Sequence, residues 1–128
     1  VAVVADERHP LVGRRQLGAE DLAPFQWVLP EGREPENERL LAVFRNARLP
    51  VPRVAVRTGS SPFMAELLRD SDYLSYLPVA LLALDPDFRH LRPLDLAEPV
   101  WPAVMVGVTY RRRGVMLMPM RRFINRLK

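Results

Sequence analysis

Prolines and short apolar runs cut this chain into pieces of alternating character, and that alternation narrows the fold more than any other feature. Val1 to Ala5 is continuously apolar, as suits a strand buried on both faces, and His9-Pro10 follows the polar residues that end it. Residues 13 to 24 carry Gly13, Gly18 and Pro24 around an amphipathic Leu17 to Leu22, which predicts a loop with at most a helical turn. Phe25 to Leu29 is the next strand, stopped by Pro30 and Gly32. From Glu36 to Leu49 the residues Leu40, Leu41, Phe44 and Ala47 recur at helical spacing, and Leu49-Pro50-Val51-Pro52 closes that helix.

The same rhythm continues. Arg53 to Thr58 reads as a β-branched strand, and Gly59-Ser60-Ser61-Pro62 opens a helix with Phe63, Met64, Leu67 and Leu68 facing inward, ending near Arg69. Asp70-Ser71-Asp72 turns the chain into a strand over Tyr73 to Leu77. Pro78 introduces a short helix over Val79 to Leu84, closed by Asp85-Pro86. Leu91 to Leu96 alternates as a strand, Ala103 to Tyr110 is a long apolar strand, and Pro119 begins a helix with Met120, Phe123, Ile124 and Leu127 on one side. Strands alternating with helices argue for an α/β fold, a parallel sheet covered on both faces with ligands taken at the carboxyl ends of its strands.

Composition removes several kinds of chemistry. With no cysteine the chain has no thiol nucleophile, thiolate metal site or disulfide, and at 128 residues it can bury a core without such staples. No apolar stretch approaches the about 20 residues needed to span a bilayer. The chain begins at Val1 with no basic-then-apolar leader, which reads as a fragment without a visible export signal. The net charge of +4 is concentrated: residues 111 to 128 hold seven basic groups and no acid, while the first 110 carry 12 basic and 15 acidic groups, or −3. This tail reads as the solvated face of a helix rather than a DNA-binding element.

Catalysis has no visible carrier. His9 and His90 stand beside prolines and arginines with no matching nucleophile or ligand cluster, so both read as structural or exposed. Asp70 and Asp72 read as turn-capping residues. No phosphate loop, dinucleotide fingerprint or nucleophile elbow occurs, and neither an enzymatic step nor a metal or cofactor is expected. Chemical promise lies at Thr58-Gly59-Ser60-Ser61-Pro62, where a strand ends and a helix begins, so that hydroxyls and first-turn N–H groups are placed to hold an anion. Simple N-capping accounts for the same residues. Trp27-Val28-Leu29-Pro30 followed by Glu31-Gly32-Arg33 reads either as a pocket border or as plain core.

Taken in order, these landmarks resemble the effector-binding domain of LysR-type transcriptional regulators. The resemblance rests on His9-Pro10-Leu11 after an apolar strand, Asp21-Leu22 before Trp27-Val28-Leu29-Pro30, and the helix ending at Leu49-Pro50. It extends through Thr58-Gly59-Ser60-Ser61 and the stretch Asp70 to Pro78, which stands where many members have a glycine-containing stretch bordering the pocket and ending in Leu-Pro. Leu91-Arg92-Pro93-Leu94, the strand from Ala103 and the final helix complete it.

The resemblance implies a lobe like that of type 2 periplasmic binding proteins, with a parallel-rich sheet flanked by helices. Residues 1–12 would be a crossing strand and hinge, 13–102 the second lobe, and 103–128 the return crossing strand and the C-terminal helix of the first lobe. The N-terminal DNA-binding domain would lie outside this chain. It further implies a cytoplasmic regulator, dimeric or tetrameric, that reaches DNA through that other domain and takes a small anionic effector, such as a carboxylate, between its lobes. By position, Thr58 and Ser60 would donate to the effector, with Ser61 beside them in the site, and Pro30 and Glu31 would border it, with Arg33 as another possible rim group. A fragment of a solute-binding protein and a dimerisation module without ligand are the competing readings.

Overall fold

A computed structural model of the chain describes residues 1–101. The strands Ala103–Tyr110 and the helix from Pro119 expected from the sequence lie outside the described residues, as does the basic tail. The elements within them are β1 (Ala2–Asp6), α1 (Ala19–Leu22), β2 (Trp27–Pro30), α2 (Glu34–Asn46), β3 (Val54–Thr58), α3 (Ser61–Leu68), β4 (Ser75–Leu77), α4 (Val79–Leu84) and β5 (Leu91–Pro93), with a 3-10 turn at Pro86–Phe88 before β5.

The strands form two hydrogen-bonded groups that adjoin. β1 lies between β4 and β5 and is antiparallel to both, pairing Ala2 with Leu77 and Asp6 with Leu91. β2 and β3 are parallel, with Pro30 opposite Thr58. A parallel bridge from Trp27 to Leu74, with Val28 N–H donating to the Leu74 carbonyl at 2.9 Å, joins β2 to the entrance of β4. The spatial order is therefore β3-β2-β4-β1-β5, with β1 alone reversed. The sheet is parallel in its other strands, as the alternation predicts.

Alternation along each strand sends side chains to two cores. Val3, Ala5, Trp27, Leu29 and Tyr76 face one way and pack with Leu40 and Phe44 of α2. Val4, Val28 and Leu77 face the other way, against Met64, Ala65 and Leu68 of α3 and Phe88 of the 3-10 turn. Each fully buried leucine or phenylalanine contributes about 1.5–3 kcal/mol relative to exposure. Burying both faces accounts for the nearly continuous apolar strands.

Helix ends differ from the sequence expectation for local reasons. α2 ends at Asn46 rather than Leu49, because Arg48 turns left-handed at φ 58° and the chain closes with Arg48 N–H to the Arg45 carbonyl and Leu49 N–H to the Phe44 carbonyl. In α3, Phe63 is exposed instead of inward, and Ala65 takes the buried place beside Met64 and Leu68. β5 stops at Pro93, which supplies no ladder donor, although Leu94 N–H still reaches the Val3 carbonyl at 2.8 Å.

Candidate functional site

The carboxyl ends of β2, β3 and β4 share one edge of the sheet, and the two loops leaving it there bring the sequence candidates together. Pro30 ends β2 opposite Thr58 at the end of β3, and Glu31 N–H donates to the Thr58 carbonyl at 3.0 Å. Gly32 adopts φ 76°, a left-handed angle that glycine takes without a Cβ penalty, and turns the chain into α2. On the neighbouring corner, Ser60 N–H donates to Thr58 Oγ1 at 3.0 Å and Phe63 N–H donates to Ser60 Oγ at 3.2 Å. Ser60 is thus the N-cap of α3, with Pro62 in its first turn.

These bonds decide what the corner can offer. The N–H groups of Ser60 and Phe63 are taken by the hydroxyls, the Met64 N–H by the Ser60 carbonyl, and Pro62 has none. The first-turn backbone is therefore a poorer anion cradle than the sequence suggests. The hydroxyl protons fare differently: Thr58 Oγ1 and Ser60 Oγ act as acceptors internally, which leaves their own protons to donate outward. Thr58 is half-buried, while Ser60, Ser61 and Glu31 are exposed. A β-carbon on Gly59 would sit 3.7 Å from Glu31 Oε2, so a carboxylate lies over the same turn.

Comparison with known proteins identifies the family and the fold. The profile of the LysR substrate binding domain matches residues 1–128. The chain belongs to this family. No curated protein matches it by sequence. Among solved structures it is similar to the PA01 protein of Pseudomonas aeruginosa, assigned to the LysR family of transcriptional regulators, at 21% identity and TM-score 0.60, covering 77% of this chain and 36% of that one. The effector-binding domain of QuiR in complex with shikimate is similar at 18% identity and TM-score 0.59, covering 77% and 45%. HinK, a LysR family transcriptional regulator of Pseudomonas aeruginosa, is similar at 20% identity and TM-score 0.61, covering 98% and 42%. The chain thus spans less than half the length of these structures, which share its type 2 periplasmic-binding-protein-like fold.

Other expected features of this LysR substrate binding domain fall elsewhere. The Asp70–Tyr73 turn lies at the opposite edge of the sheet from Thr58, because it enters β4 beside the start of β2. It therefore does not border the β2–β3 corner. There the 2% exposed Asp6 accepts from Arg8 N–H at 2.9 Å and Asp70 N–H at 3.1 Å. Burial alone would raise the Asp6 carboxyl, but these backbone donors, with His90 and Arg8 nearby, hold it below its ordinary value. In the turn itself Ser71 does the capping, accepting from Tyr73 N–H and donating to the Leu68 carbonyl.

Both histidines are buried and structural. His9 Nδ1 accepts from Leu11 N–H at 3.0 Å, which makes Nε2 the protonated nitrogen that donates to the Asp72 carbonyl at 3.0 Å. Burial pushes its imidazole below the ordinary value, opposed by the Asp72 carbonyl and by the charges of Asp72 and Asp6. His90 Nε2 lies 2.8 Å from the Ala65 carbonyl.

A groove of about 680 Å³ runs between α1, α2 and residues 96–100, and a hollow of about 230 Å³ lies at Asp6, Arg8 and Asp70–Asp72. The β2–β3 corner borders neither. Among the described residues no cluster of three metal-ligating side chains occurs, and no helix is long and apolar enough to cross a membrane.

Sequence reasoning missed a buried polar cluster beside the corner. Asn37 Nδ2 donates to the Pro30 carbonyl at 3.2 Å, Tyr76 O–H donates to Asn37 Oδ1, and Trp101 Nε1 donates to the Glu36 carbonyl at 3.1 Å. Burial, with the charges of Glu36 and Glu34, pushes the Tyr76 hydroxyl up to about 12, against the lowering effect of Arg33. The available signal was Asn37 itself: it shares the helical stripe of Leu40 and Phe44, where an apolar residue is expected.

Proposed function

We propose that this chain is the ligand-sensing part of a LysR-type transcriptional regulator and takes a small carboxylate at the corner formed by Pro30, Glu31, Thr58, Ser60 and Ser61. Membership of the family supports the regulatory role. The outward protons of Thr58 and Ser60, left over once their oxygens are used internally, are the observation that carries the ligand class. Glu31 adds a preference: its carboxylate opposes any anion brought near it but accepts from a ligand hydroxyl, which favours a hydroxylated monoacid that turns its hydroxyl to Glu31 and its carboxylate to Thr58 and Ser60. Shikimate, held by the similar QuiR domain, has that chemistry.

In this reading residues 1–12 and 103–128 are connectors to a second lobe, which supplies the facing wall of the cleft. DNA contact and oligomer formation involve the rest of the parent regulator, in the cytoplasm, with no enzymatic step. The ligand acts by binding one arrangement of lobes better than another, and shifts their balance only by that difference.

Titrating shikimate into the 15N-labelled chain tests the site. Amide shifts are expected at residues 30–32 and 58–63, and Thr58→Val should weaken binding about tenfold, the loss of one hydrogen bond to a charged group, while the domain stays folded. Shifts confined to the groove beside α2, or none at about 50 mM ligand, where even millimolar binding would saturate, overturn the assignment.

A further inference from the structure

The cluster beside the corner joins three parts of the fold that the proposed site needs in register. Asn37 is 3% exposed and uses both ends of its amide: the nitrogen holds the last carbonyl of β2, and the oxygen takes the Tyr76 hydroxyl from β4. The Tyr76 ring lies 4.7 Å from the Trp101 indole, inclined at 43°. That indole in turn ties the first turn of α2 through the Glu36 carbonyl. Pro30, Glu36 and the chain at residue 101 are thereby linked through side chains rather than through the sheet ladder.

We propose that Asn37, Tyr76 and Trp101 are positioning residues: together they latch the β2–α2 turn, and with it the Pro30–Glu31 rim of the site, to the chain leaving at residue 101. The proposal rests on the site reading above for its functional meaning but not for its physical content. Glu31 and Gly32 sit on an exposed loop with a left-handed angle, which the Glu31 N–H bond to the Thr58 carbonyl ties to β3 but not to α2. Asn37 is suited to the role because its planar amide fixes the direction of both bonds at once. Movement of the chain at residue 101 carries the indole, and the indole carries both the Glu36 carbonyl and the ring that orients Asn37.

Hydrogen exchange on the full 128-residue chain tests this without any ligand. Tyr76→Phe removes the donor to Asn37, and Trp101→Phe keeps a ring on Tyr76 but removes the donor to Glu36. Each is expected to speed amide exchange in residues 31–37 about tenfold beyond any change in β1 and β4, as the loss of one local hydrogen bond predicts. Phe44→Leu, which disturbs the same core outside the latch, should speed exchange evenly. Exchange at 31–37 that merely follows the core in both latch variants, or that rises equally in Phe44→Leu, overturns the latch. Failure of shikimate to bind leaves it standing, so the two readings fail separately.

Discussion

Acid should loosen this domain through one ring. His9 is 4% exposed, with Nδ1 accepting from Leu11 N–H and Nε2–H donating to the Asp72 carbonyl, so a second proton has no place without breaking the Leu11 bond. Its native value is depressed below 6.5, and the unfolded chain therefore binds the proton more readily. Stability from this group is fully present above that value and is lost as pH falls toward the native one. Between about pH 7.5 and 5.5 the loss can reach about 1.4 kcal/mol, the limit when the native ring stays neutral throughout. The carboxylates facing the ring are Asp6 and Asp72, and Phe25 packs on it at 4.5 Å. His9→Asn keeps an acceptor for Leu11 N–H and discards the titrating group. Losing the Asp72 bond and the Phe25 contact should lower stability by about 2 kcal/mol at neutral pH. Urea unfolding followed by circular dichroism at both pH values is the assay. A wild-type stability that does not fall over this range, or an equal fall in His9→Asn, would refute the reasoning.

Two further substitutions probe helix ends. Ser60→Ala removes the cap on Phe63 N–H and should destabilise by about 1 kcal/mol in the same urea assay, with α3 amides losing protection first. Arg48→Gly places glycine at the left-handed residue after α2 and should stabilise by about 1 kcal/mol, the relief of a crowded Cβ; an unchanged or lower midpoint would argue against strain there.

What was legible follows from where the physics is local. The strand and helix alternation, the apolar stripe of α2 and the Ser60 cap depend on near neighbours in sequence and could be read from the residues, whereas a shared border for Pro30 and Thr58 was implied only by the family resemblance. The reversed direction of β1 depends on partners at residues 75–77 and 91–93, which no periodicity reports. The end of α2 was misread because a left-handed arginine stands where glycine is the usual sign. Phe63 and Ala65 exchanged expected places because the wheel shows an apolar residue but not which neighbour arrives to cover it. Thr58, Ser60 and Ser61 were recognisable as hydroxyls at a strand end. That the Thr58 and Ser60 oxygens accept internally, leaving their protons to donate, required the hydrogen bonds.

The central position of β1 has a consequence for how the lobe is assembled. Both long edges of this strand are occupied, by β4 on one side and β5 on the other, and both partners come from the far end of the described residues. Its loss would open a slot with two unsatisfied ladders lining it, shaped to accept a single extended pentapeptide of matching alternation. The lobe is in that sense a receptor for its own first strand, and a split version supplied with a free Ala-Val-Val-Ala-Asp peptide has the geometry to reconstitute.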